Sequence, residues 1–308
     1  MGDTDTADAE PLWRYRLLLM LAGLLWSTGG LFIKHLSVHP AWHAGALGIT
    51  CYRSLFAALC LAPFLRGRAL PKLGDALVAI VVYTLLLLFY VAATQGTSAA
   101  NAIFLQYTAP LWALVLGPWL FKEAFNRGDL KALLVAMAGI GILFFGSFHG
   151  GEQLPMILGA ASGAMFGFFL LWLRRMHYAD PLAVTAFNNA GVALVSWLAL
   201  LVSRPAEASL IPRAASEPAL LPVVLLLALM GLVQIAVPYV LLGIALKRIS
   251  AVESSLLALV EPVLNPVWVV LFFGEAPSPS TIIGGGLILL ALALRYTLFK
   301  ETPGGNET

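Results

Sequence analysis

"VEPVLNPVWVVLFFGE", Val260 to Glu275, puts a carboxylate, an amide and two prolines inside an otherwise apolar run. "TAPLWALVLGPWLFKE", Thr108 to Glu123, matches it 152 residues earlier, Pro110 falling on Pro262 and Glu123 on Glu275. The register continues upstream. "TSAANA" from Thr97 falls on "ISAVES" from Ile249, and Tyr90-Val91 resembles Tyr239-Val240 after a three-residue gap. The chain is two copies of one pattern.

Composition says where the two copies live. Hydrophobic residues make up 60% of the 308 and charged residues 11%, with a mean hydropathy of +0.89, against about 25% charged in a soluble domain. This is an integral membrane protein. A helix crosses the hydrocarbon core in about 20 mainly apolar residues, and cutting at Pro, Gly and charge clusters gives ten spans. They lie near 15–35, 44–65, 75–95, 98–120, 129–147, 156–174, 182–203, 220–246, 250–273 and 280–299. The longest connection, "RPAEASLIPRAASEP" from Arg204, is a surface loop, and no soluble domain is present.

Five spans per copy is an odd number, so the second copy is upside down relative to the first. The expected fold is an all-α membrane protein of ten transmembrane helices in two inverted-topology five-helix repeats, an architecture recurrent among secondary transporters. The expected division is a tail over 1–13, a first repeat over 14–147, an external linker over 148–155, a second repeat over 156–299 and a tail over 300–308. Of the 18 Lys and Arg, 14 fall in the segments 14–16, 66–72, 122–131, 174–175, 247–248 and 295–300. By the positive-inside rule both termini are cytoplasmic, in an inner or plasma membrane. The apolar run after Arg16 lacks a small-residue cleavage site and reads as a retained first span.

Several function classes drop out. A net charge of +2 without an aromatic-interleaved basic patch or zinc-finger spacing does not suit nucleic acid. Cys51 and Cys60 share one span and give no disulfide framework. His35, His39 and His43 recur every four residues, but Pro40 interrupts them in a loop, so no metal is expected and no cofactor is implied. There is neither a Walker motif nor a G-x-S-x-G nucleophile pattern, so the chain is not read as an enzyme. A channel or uncoupled pore subunit is the alternative reading, with an intramembrane enzyme behind it. The partners expected are a small-molecule substrate and the bilayer, and ten spans can fold as a monomer.

The chemistry centres on the opening stretch. On a helix Glu253, Leu257, Glu261 and Asn265 form one stripe. Pro262 leaves the Ala258 carbonyl without its amide partner and Pro266 does the same to Pro262, so Pro110, Pro262 and Pro266 read as helix-breaking. Glu261 lies 11 residues into its span from one side and Arg53 lies 9 into the second from the other. At about 1.5 Å per residue both sit near mid-bilayer, where an unpaired charge costs about 2.5–3.5 kcal/mol. Arg53 and Glu261 are therefore expected close together, with Glu261 and Glu253 as candidate coupling groups. Trp26, Tyr83, Tyr90, Asn101, Gln106, Tyr107, Asn189, Gln234, Tyr239, Asn265 and Trp268 suit a cavity with apolar walls and a few fixed polar groups. Asn101 holds the repeat position of Glu253. The runs "STGG" (Ser27 to Gly30) and "GGG" (Gly284 to Gly286) read as packing seams. Glu123 and Glu275 read as boundary caps.

"LLWSTGGLFIKHL", the Arg of "TCYRSLFAALCLAP" and the ending "EPVLNPVWVVLFFGEAPSPSTIIGGGLILLALAL" resemble the ten-helix EamA-type carriers of the drug/metabolite transporter superfamily. The resemblance runs from about Arg14 to Phe299. The first repeat departs from it, with Ala109-Pro110 for Glu261-Pro262 and Lys122-Glu123 for Gly274-Glu275. The family implies a carrier working by alternating access around a midplane cavity, frequently an exporter of amino acids or related metabolites.

Overall fold

The structure, a computed structural model, describes residues 11–39, 41–42, 45–121, 127–147, 153–249, 257–258 and 260–297. Seven helices are long and apolar enough to cross a membrane, and three shorter apolar helices complete the set of ten. In chain order they are α1 (Leu12–Ser37), α2 (Ala46–Phe64), α3 (Leu73–Gly96), α4 (Ala99–Leu120) and α5 (Arg127–Ser147), followed by α6 (Gln153–Arg175), α7 (Pro181–Ser203), α8 (Pro218–Ala245), α9 (Val260–Phe273) and α10 (Pro279–Thr297). The connection after α7 folds into two short helices, Pro205–Ala208 and Leu210–Ser216.

The main packing partners lie in opposite repeats. α2 packs along α7 and α5 along α10, each helix against its own repeat equivalent. α3 packs on α6, and the equivalent pair, α8 on α1, recurs on the other side. The two copies interleave rather than sit side by side. Glycines set the distances, because lipid gives helices no hydrophobic reason to associate and close backbone approach has to supply it. A Cβ on Gly139 would run into the Gly284 carbonyl, and one on Gly284 into the Gly139 carbonyl. At Gly163 and Gly167 of α6 a Cβ would collide with the Leu105 and Ala109 carbonyls of α4. The expected seam at "GGG" is present at Gly284 and Gly285, the latter against Phe104, while Gly286 faces open space.

Among the described residues three spans are interrupted near mid-length and a fourth, α9, starts at a turn. α1 divides into Leu12–Trp26 and Gly29–Ser37, and α4 into Ala99–Gln106 and Ala109–Phe121. α8 widens into a π-helical segment over Gly231–Ala236. α9 begins at Val260 after a turn at Ala258, which matches the α4 break one repeat earlier. Each interruption has a local cause. Pro238 cannot accommodate the Gln234 carbonyl four residues back, and the turn above it opens. In α1 the hydroxyls of Ser27 and Thr28 donate to the Leu24 and Leu25 carbonyls at 2.7 Å each, taking bonds the helix would otherwise make.

The proline expectation needs correction. Pro110 and Pro262 stand in the first turn of a new half-helix, where a missing N–H costs nothing, and the breaks precede them. Within these two half-helices the prolines that lie past the first turn are Pro118 and Pro266. The "STGG" run is likewise a helix break as well as a seam.

The α6 seam yields a prediction. Gly163→Leu should overpack the α4 break and destabilise the protein by about 1–3 kcal/mol, read as a fall of the thermal midpoint in detergent; an unchanged midpoint would show that the approach of α6 to α4 is dispensable.

Candidate functional site

The ends of α3 define two faces. At its start the Asp75 carboxylate accepts from Tyr178 at 2.8 Å and from Arg175 at 3.3 Å, and the Asp75 carbonyl accepts from Trp172 at 2.9 Å. At its end, beyond Gly96, Lys34 Nζ sits 2.8 Å from Glu275 and donates to the Thr97 carbonyl at 3.0 Å. The other Glu275 oxygen accepts from the Ala99 amide at 2.8 Å, capping the start of α4. Glu275 does more than end its span. It ties α1, α4 and α9 together, with Lys34 and Glu275 only 19% and 29% exposed.

The Asp75 face is open. A cavity of about 680 Å³ enters there, with Arg174, Arg175, His177 and Lys247 at the mouth and Thr185, Asn188 and Asn189 deeper in. It ends on Tyr83, Phe169 and Tyr239. Tyr83 stacks on Phe169 at 4.7 Å and meets Tyr239 edge-on at 5.0 Å, and Trp26 meets Tyr239 edge-on at 5.1 Å. These rings form a partition, and apolar edges in such contact exclude water while keeping a defined geometry.

Behind the partition lies a second cavity of about 30 Å³. Arg53, Gln106, Gln234 and Glu261 line it, with Trp26, Tyr90 and Tyr239 among the walls. It has room for a water and not for a metabolite. Arg53 is 1% exposed, and among the described residues its Nε has no partner and its one hydrogen bond runs 3.4 Å to the Leu87 carbonyl. Glu261 is 6% exposed. The two charges line the same cavity, and among the described residues their hydrogen bonds go elsewhere, Arg53 to the Leu87 carbonyl and Glu261 to Tyr107. Tyr107 occupies the near side of Glu261 instead, at 2.8 Å. The reason is topological: Tyr107 closes the α4 break and the break brings it onto the start of α9.

The remaining candidates divide. Gln106 donates to Ser162 at 3.1 Å, which donates to the Leu86 carbonyl at 3.3 Å. Gln234 approaches the Trp26 carbonyl at 3.5 Å and fills the space beside Gly29, so the widened α8 turn abuts the α1 break. Asn265 reaches Tyr90 at 3.4 Å, and Trp268 donates to Ser27 at 2.9 Å. Asn101 belongs elsewhere. Its side-chain carbonyl accepts from Thr281 at 2.6 Å, linking α4 to α10 near the Glu275 face. Glu253 and Glu123 lie outside the described residues. Lys34, Phe166 and Phe169 carry parts of this arrangement that sequence reasoning did not single out for it.

Two interleaved five-helix repeats, broken helices at mid-depth and a cavity open to one face define a polytopic membrane transporter. Comparison with known proteins agrees: the EamA-like transporter family matches residues 13–145 and 153–297, and the chain belongs to that family. An uncharacterized transporter of Archaeoglobus fulgidus is 25% identical over 90% of this chain and 94% of its own length. The threonine/homoserine exporter RhtA of Escherichia coli K12 is 24% identical over 95% of each. A solved crystal structure at 20% identity covers 95% of this chain and all of its own with a TM-score of 0.66, which supports the fold.

The closed face can be tested. In a protein carrying Cys60→Ser and Thr97→Cys, Lys34→Gln should raise labelling by a membrane-impermeant maleimide severalfold, since the ion pair and the contact at position 97 are lost together. Equal labelling with and without Lys34 would mean that the pair does not hold this face shut.

Proposed function

We propose that the chain exports small zwitterionic metabolites, amino acids foremost, by alternating access. The observation that carries this is Arg53, a fully buried guanidinium with a free Nε, sharing one cavity with the Glu261 carboxyl but not bound to it. A charge left unpaired at this depth is costly, and a substrate carboxylate would supply what Arg53 lacks. Glu261 offers an acceptor for the substrate ammonium or for a proton. A zwitterion presents both charges on one small frame, which suits two opposite groups held apart.

The excess of Lys and Arg at the Asp75 face supports a cytoplasmic assignment for that face and for both termini. The conformation described is then open to the cytoplasm and closed at the Lys34–Glu275 face. A substrate enters past Arg174, Arg175 and Lys247, whose charge draws in carboxylates, and reaches the amide-lined floor at Asn188 and Asn189. Movement of the Tyr83–Phe169–Tyr239 partition opens the way to Arg53. Separation of Lys34 from Glu275 releases the substrate on the far side. The relative named as a threonine/homoserine exporter supports the substrate class.

Purified protein in proteoliposomes should exchange labelled threonine, homoserine or another small amino acid in a saturable manner. Arg53→Gln should cut counterflow at least about tenfold, the equivalent of about 1.4 kcal/mol, while the folded fraction by size-exclusion profile stays unchanged. Full counterflow in a folded Arg53→Gln protein would remove Arg53 from the substrate path.

A further inference from the structure

We infer that Tyr107 is a positioning residue that couples the proton on Glu261 to the contact between the broken helices of the two repeats. This rests on the transporter reading above and gives the same site a means of responding to pH. Tyr107 Oη lies 2.6 Å from the Ala258 carbonyl oxygen and 2.8 Å from Glu261 Oε2. Both are hydrogen-bond distances for an O–H donor. The Ala258 carbonyl can only accept, and the phenol has one proton. Two short contacts need two protons, and one proton shared between both oxygens would lengthen each. The second proton therefore sits on Glu261: the carboxylic acid donates to Tyr107, and Tyr107 donates to Ala258.

The Ala258 carbonyl is available because Pro262, four residues on, has no N–H to give it. It takes the Glu261 amide at 3.0 Å on one lone pair and the Tyr107 hydroxyl on the other. Loss of the Glu261 proton forces a choice. Tyr107 has to turn its single proton to the carboxylate, and the bond that pins the α4 break to the α9 break is released. The proton leaves to water or to the substrate pathway, and no other bond is made or broken.

Among the described residues the titratable groups that face Glu261 from the surrounding helices are Arg53 of α2, Tyr90 of α3, Tyr107 of α4 and Tyr239 of α8. Of these only Tyr107 touches both Glu261 and the backbone at a break. The device belongs to one repeat alone, for the position 152 residues after Tyr107 is Leu259 and the position before Glu261 by the same step is Ala109.

Infrared difference spectroscopy of the full-length protein in liposomes tests this without any substrate. A protonated-carboxyl C=O band is expected at neutral pH, lost in Glu261→Gln and lost in the wild type as the pH is raised. Tyr107→Phe removes the acceptor, so the band should move to higher frequency and its midpoint pH should shift by at least about half a unit. In counterflow, Tyr107→Phe should displace the pH profile, a change that a mere packing role would not cause. A wild type without a Glu261-dependent band at neutral pH overturns the inference, as does a folded Tyr107→Phe protein whose band and midpoint match the wild type. If Tyr107→Phe does not fold, the wild-type band and its loss in Glu261→Gln decide alone. Absence of flux with every amino acid tried would instead refute the substrate class, leaving the spectroscopic result standing.

Discussion

Every interruption of a helix inside a membrane leaves backbone groups that water cannot reach, and the architecture follows from where those groups find partners. The α9 break finds Tyr107, from the α4 break of the other repeat. The α1 break is served by its own Ser27 and Thr28 hydroxyls and is abutted by Gln234 from the widened turn of α8. Thr108 turns its hydroxyl to the Leu105 carbonyl at 2.7 Å within the α4 break. Where a break does not serve itself, another helix reaches it, and α4 meets α9 and α8 meets α1 on that account. Their convergence makes the cavity that holds Arg53 and Glu261.

Interleaving follows from the same demand. If each repeat packed mainly within itself, the α4 and α9 breaks would face different cores and could not satisfy one another. Pairing α2 with α7, α5 with α10, and α3 with α6 as α8 with α1 brings equivalent depths of both repeats together. Small residues make this possible where backbones nearly touch, at Gly139 with Gly284 and at Gly163 with the Leu105 carbonyl.

The spans and the repeat were legible because both are written in bulk properties: long apolar runs, and prolines and glutamates at one constant offset. The α9 break was half legible, since Pro262 announces a free Ala258 carbonyl but not the distant hydroxyl that takes it. The α1 break had no proline. Its signal was the adjacent pair Ser27-Thr28, residues that compete with the helix for its own carbonyls, and "STGG" read simply as a seam hides that. Counting residues put Arg53 and Glu261 at similar distances along their helices, and they line one cavity, yet rise along a helix does not fix azimuth. A side chain placed by its rise along one helix can still look away from a partner on another, and here Tyr107 fills the nearer position.

Symmetry sharpens what is private to each repeat. The two family matches begin 140 residues apart, at 13 and 153, and Trp26 and Phe166 are separated by the same 140 and meet at 6.5 Å between ring centroids. By the same step Lys34 corresponds to Arg174, and by the later step of 152 Glu275 corresponds to Glu123. A basic and an acidic residue therefore recur at equivalent sequence positions in the two copies. Glu261 has no such twin, its equivalent being Ala109, and Arg53 does not bind it. The scaffold repeats but the buried carboxyl does not: Glu261 stands in the second copy alone, where Tyr107 of the first copy reaches it at 2.8 Å.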